Sequence, residues 1–91
     1  MVYAILIHSA NHPGTLLPAV VAKKVKGELK KNWAPYAEYV NTYTTEEGAG
    51  ICLFKVTEGE DGINKFLQGC VANLPMEWPK ENILIGVKGV Y

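Results

Sequence analysis

Both histidines of the chain fall in one short stretch, His8-Ser9-Ala10-Asn11-His12-Pro13. Histidine gains and loses its proton near neutral pH, so the pair is the first candidate for a general base, a ligand-orienting group or a metal ligand. On a helix, the His8–His12 spacing would place two ligands on one face. At a strand end and in the loop after it, the spacing carries little, and no third ligand is evident. Asn11-His12-Pro13-Gly14 also presents backbone N–H groups ahead of a helix, a candidate seat for an anion.

The remaining reactive residue types point to structure. Cys52 and Cys70 are too few and too far apart for a zinc knuckle and read as small buried hydrophobes of a reducing compartment. The lysines from Lys23 to Lys31 read as a solvated helix face. Glu58, Glu60 and Asp61 read as an acidic cluster favoured by a helix N-terminus.

Composition narrows the function classes. Ninety-one residues suggest one domain, 1–91, and 48% hydrophobic residues exclude a disordered chain. Nine lysines balance nine acidic residues, so there is no basic field to recommend a nucleic-acid binder. Arginine is absent, which removes the bidentate fork best suited to phosphate. No basic segment precedes an apolar one, and no run of about 18 apolar residues occurs. The expectation is a soluble cytoplasmic protein with no membrane partner, no metal and no cofactor.

The histidine stretch must be held by the elements around it. Val2 to His8 is apolar except at its end and reads as a strand. After Pro13-Gly14, Thr15 reads as an N-cap, with Pro18 in the first helical turn. Leu17, Val20, Val21, Val25 and Leu29 form the apolar stripe of that helix, which should stop near 32–34, before Pro35. Tyr36 to Thr45 and Gly50 to Val56 read as a hairpin turning at Glu46-Glu47-Gly48. Ile63, Phe66, Leu67, Cys70, Val71 and Leu74 stripe a second helix, ended by Pro75. Asn82 to Tyr91 is the last strand, with Gly86 and Gly89 as bulge or close-approach points.

The order is β-α-β-β-α-β, so the expected fold is α+β, a ferredoxin-like four-stranded antiparallel sheet with two helices on one face. Strands one and three are apolar on both faces, as central strands are. Nothing in the chain remains to cover the second face, so a sheet-to-sheet homodimer is expected. With the hairpin centred on Glu47, Tyr43 faces Ile51, Asn41 faces Leu53 and Tyr39 faces Lys55. That register puts Tyr39, Asn41, Tyr43 and Lys55 on one face, with Val40, Thr42, Cys52, Phe54 and Val56 on the other. The end of strand one then lies near Tyr43, Ile51 and Asn82. Trp33 and Trp78 read as lids over the ends of the core.

The chain resembles the dimeric α/β-barrel superfamily of small ferredoxin-like proteins. The resemblance rests on the strand ending in His8-Ser9, the hairpin strand Ile51-Cys52-Leu53-Phe54-Lys55-Val56, the helix closing at Leu74-Pro75 and the strand Ile83-Leu84-Ile85. Within that superfamily the chain looks most like short uncharacterised domains of about this length, and muconolactone isomerases and cofactor-less antibiotic-biosynthesis-type monooxygenases are similar in outline. The resemblance implies a sheet-to-sheet dimer and often a pocket between sheet and helices. The expected function is binding of a small molecule near the end of the first strand, by His8, Asn11, His12, Asn41 and Tyr43. One alternative is a cofactor-independent oxygenase or isomerase with His8 as catalytic base. The other is a structural or partner-binding dimer without a pocket. A cavity touching His8 would favour the binding and enzyme readings, and a His8 side chain packed away and satisfied by backbone would sink both.

Overall fold

The computed structural model describes residues 2–24, 36–73 and 78–88. They form a small α+β domain built on one four-stranded antiparallel sheet in the order β2-β3-β1-β4. The strands are β1 (Val2–His8), β2 (Ala37–Thr44), β3 (Gly50–Val56) and β4 (Ile83–Val87). The central positions of β1 and β3 follow from their apolar runs, which suit strands covered on more than one side.

Alternation along β1 separates the two faces. Val2, Ala4, Leu6 and His8 are buried, whereas Tyr3, Ile5 and Ile7 are half-exposed. The buried face carries the core of Ala4, Leu6, Cys52, Phe54 and Val56, with Leu17, Phe66 and Val71 packed over it. Phe54 is at its centre, in edge-on ring contact with Tyr39 and tilted ring contact with Phe66.

Helix α1 is described over 19–24 and begins where Pro18 O accepts the N–H groups of Val21 and Ala22. The expected cap, Thr15, lies instead in a separate 3-10 turn, Pro13–Thr15. Ala22 packs on the core, while Val20 and Val21 are exposed, so those two valines do not form the expected stripe. The later helix start rotates the inward face onto Ala22. Val25, Leu29, Trp33 and the end of this helix lie outside the described residues. Helix α2 (Glu60–Lys65) runs into a π-helical turn, Phe66–Cys70, and a 3-10 turn, Val71–Asn73. A Cβ at Gly69 would come within 2.6 Å of the Tyr36 hydroxyl, so this turn sits close against the chain entering β2.

The hairpin register matches expectation at Tyr43↔Ile51 and Asn41↔Leu53. It shifts between Tyr39 and Asn41, where Val40 is an extra residue, and Tyr39 pairs with Phe54 instead of facing Lys55. A bulge of one residue transfers everything before it to the other face. Tyr39 is therefore in the core at 7% exposure, and Val40 is exposed. Gly86 marks a second irregularity, with φ 85° where the β1–β4 register shifts. Gly89 lies outside the described residues.

Candidate functional site

His8 is the last residue of β1 and shares the parity of Ala4 and Leu6, so its side chain enters the helix-covered face. It is 2% exposed. Nδ1 lies 2.5 Å from the Thr15 carbonyl and Nε2 lies 3.0 Å from Cys52 Sγ. The Trp78 ring covers it edge-on, with centroids 5.1 Å apart, and thus acts as the expected lid. Burial pushes the His8 imidazole below its ordinary range, against an opposing effect of the Thr15 hydrogen bond.

The direction of these hydrogen bonds can be deduced. A carbonyl only accepts, so Nδ1 carries the hydrogen of neutral His8, and Nε2 accepts. The Cys52 thiol is then the donor to Nε2. Its sulfur is also 3.2 Å from Thr42 Oγ1, which must donate to it. Thr42 Oγ1 in turn lies 2.5 Å from Tyr39 Oη, and its own hydrogen being spent, it accepts from the phenol. One oriented chain therefore runs from Tyr39 through Thr42 and Cys52 to His8 and the Thr15 carbonyl.

This chain is not an activated nucleophile. Burial pushes the Cys52 thiol up, opposed by the Thr42 hydrogen bond, while burial pushes His8 down. Both effects disfavour the thiolate–imidazolium pair that cysteine catalysis requires. Tyr39 is likewise raised, by burial first and then by its Cys52 and Tyr43 neighbours against the Thr42 bond.

The loop after β1 is closed on itself. His12 N–H donates to Ser9 O at 3.0 Å, Asn11 N–H to Ser9 Oγ at 3.2 Å, and Thr15 N–H to His12 O at 2.8 Å. Thr15 Oγ1 accepts from Ser9 N–H at 2.8 Å and donates to His12 O at 2.8 Å. The amides of Asn11 and His12 are thus already used, which removes the expected anion seat. The His12 side chain is half-exposed, with Nε2 3.1 Å from Glu81 Oε1. Buried Asn82 donates from Nδ2 to Ile7 O at 2.8 Å, tying the start of β4 to the end of β1. Loop and hairpin are joined where Leu17 N–H donates to Gly48 O at 3.0 Å and Thr44 Oγ1 donates to Leu17 O at 2.8 Å.

The five expected ligand-binding residues do not share one face. His8 is in the core, Asn11 and His12 are on the loop, and Tyr43 pairs with Ile51 on the open face. Asn41 alone borders a cleft. That cleft, of about 230 Å³, opens between α1 and the edge strand β2. Ala19, Ala22 and Lys23 line it from the helix, and Tyr39, Asn41, Thr42 and Thr44 from the strand.

The oriented chain therefore joins the two places. One end is the buried His8, and the other is the Tyr39–Thr42 pair in the cleft wall. The sequence puts Tyr39 on the wrong face because the bulge at Val40 leaves no mark in the alternation. Cys52 lies on the helix-covered face with Phe54 and Val56, the face on which the end of β1 places His8.

Among the described residues no cluster of three or more His, Cys, Asp or Glu could hold a metal ion. Among them, too, no helix is long and apolar enough to cross a membrane. Comparison of the chain with protein-family models, with curated proteins and with solved structures gives no match.

Proposed function

We propose that this chain is a ferredoxin-like domain that binds a small molecule in the cleft between α1 and β2 and works as a sheet-to-sheet homodimer. The carrying observation is the cleft wall at Tyr39 and Thr42, held rigid from behind by the hydrogen-bonded chain that ends at His8. Buried polar chains of this kind, fully satisfied, fix side-chain positions. A binding wall needs that fixity more than it needs a base. The packed and hydrogen-bonded His8 counts against the pocket expected at the end of the first strand; the cleft is a different place, and His8 stands behind its wall without touching the ligand. An oxygenase or isomerase using His8 as base is disfavoured, because Cys52 occupies Nε2 and the Thr15 carbonyl occupies Nδ1.

Crystals soaked with a small-fragment library test the proposal. Fragments should appear against Ala22 and Tyr39, and Ala22→Leu, which fills the cleft, should abolish them. Fragments unaffected by Ala22→Leu, or none in the cleft, overturn it.

A second reading, a partner-binding dimer without a pocket, is favoured by the open sheet face. Ile5, Ile7, Ile51 and Leu53 are half-exposed there, and Leu84 is 45% exposed. Glu38 opposite Lys55 gives that face a rim with both charges. At about 25 cal/mol per Å² such a face is stabilised by a second copy. Dimerisation is common to both readings; only occupancy of the cleft separates them.

A further inference from the structure

We infer that the cleft takes a small hydroxy-carboxylate, with its hydroxyl directed at Tyr39 and its carboxylate at Lys23; this rests on the cleft being the binding site. Each residue of the cleft wall has a definite hydrogen-bonding capacity left.

The Tyr39 phenol hydrogen is committed to Thr42, as deduced from the fixed direction of the chain ending at the Thr15 carbonyl. Tyr39 therefore offers only a lone pair. The Thr44 hydroxyl hydrogen goes to Leu17 O at 2.8 Å, so it too offers only acceptance. The β2 wall is accordingly a pair of acceptors and calls for a ligand donor. Asn41 has the opposite surplus. Its Oδ1 accepts from Thr42 N–H at 2.9 Å, which leaves the Nδ2 hydrogens free to donate. Lys23, exposed on the helix side, can only donate and carries a charge.

An acceptor wall near the core and a donor-plus-cation mouth select a molecule with opposite polarity at its two ends. The inner donor is a neutral hydroxyl, because an ammonium beside buried Tyr39 would lose its hydration. The outer group is an anion, a carboxylate, on Lys23. Between them Ala19 and Ala22 present small apolar side chains to a flat or short hydrocarbon body. About 230 Å³ lies below the roughly 300 Å³ at which drug-sized sites begin, so the ligand is fragment-sized.

Calorimetric titration of the full chain with para-hydroxybenzoate, para-methoxybenzoate and para-hydroxybenzamide tests the inference. Para-hydroxybenzoate should bind the wild-type protein tighter than either of the others by roughly threefold to tenfold, the range for one hydrogen bond or one exposed charge contact. Tyr39→Phe should erase the preference over the methoxy compound, and Lys23→Met the preference over the amide. The wild-type comparison stands even if Tyr39→Phe fails to fold. Equal affinity for the hydroxy and methoxy compounds overturns the ligand class. If fragments still occupy the cleft and Ala22→Leu still excludes them, the binding-site reading survives that result. No binding of any of the three compounds at millimolar concentration, with an empty cleft in soaked crystals, overturns both.

Discussion

The imidazole Nε2 of His8 lies 3.0 Å from the thiol of Cys52, across two adjacent central strands and wholly inside the core. Burial disfavours the charged form of both residues. The thiol donates, the ring accepts, and the opposite ring nitrogen donates to the Thr15 carbonyl. A neutral buried histidine has a definite consequence for stability against pH.

Burial holds the His8 pKa below its ordinary value of 6.5. In the unfolded chain the ring gains a proton as pH falls through that value, while in the native state it gains one only at lower pH. The unfolded state then binds more protons, so stability is fully present above about pH 6.5 and declines as pH falls below it. The decline from this one group cannot exceed about 1.4 kcal/mol per pH unit. Urea denaturation at steps from pH 7.5 to 5 should show it. His8→Gln should flatten that part of the curve while lowering stability at neutral pH. A wild-type curve as flat as that of His8→Gln would mean that folding does not shift the His8 pKa.

Cys52 is predicted to matter as a donor and not as a nucleophile. Cys52→Ala leaves Nε2 of His8 as a buried acceptor with no partner, at a cost of about 1–3 kcal/mol. Cys52→Ser keeps a hydroxyl that can make both bonds and should cost clearly less than Cys52→Ala. Thermal denaturation of the two variants gives the comparison. Iodoacetamide labelling, read by peptide mass mapping, should leave Cys52 unmodified until denaturant unfolds the chain, because the thiol is 2% exposed and its pKa is raised. Equal stability of the Ala and Ser variants would remove the hydrogen bond from the account.

How far the sequence reveals these relationships depends on which signal each leaves. The central strands were legible because Val2–Leu6 and Ile51–Phe54 are apolar without interruption. The register at Tyr43↔Ile51 was legible because a short hairpin turn determines the pairing beside it. Tyr39 was misplaced because a bulge changes parity without changing composition. Val20 and Val21 were misplaced because Pro18 starts the helix late, and apolar spacing alone does not say where a helix begins. The pairing of His8 with Cys52 joins residues far apart in sequence, and only correct faces on both strands bring them together.

Gly48 should be intolerant of any side chain. Its φ is 103°, in the left-handed region that favours glycine. An added Cβ would lie 2.7 Å from both Leu17 N and Pro18 N, which are backbone atoms and cannot swing away. The hairpin turn and the entry to α1 are pressed together there, and Gly48 O accepts from Leu17 N–H at 3.0 Å. Gly48→Ala therefore combines backbone strain with loss of this contact, and should destabilise the fold by at least about 2 kcal/mol in chemical denaturation. The same change at Gly59, whose φ is 101° but whose added Cβ would meet nothing, isolates the strain alone and should cost less.

The open sheet face gives the last prediction. Ile5 pairs with Leu53 on one side and with Leu84 on the other, so three aliphatic side chains lie in a row across β3, β1 and β4. A two-fold axis through such a row would bring it against its own copy and bury it, whereas a lone chain must hydrate it. Sedimentation equilibrium at micromolar concentration should give about twice the chain mass of 10.0 kDa. Leu84→Lys sets a charge in the row at a position where 45% exposure tolerates it in the monomer. The variant should keep its circular dichroism and fall to the mass of one chain. Its melting temperature should also lose the dependence on protein concentration that a dimer imposes. A wild-type mass of one chain would leave the row hydrated, and the sheet face would then need a different partner.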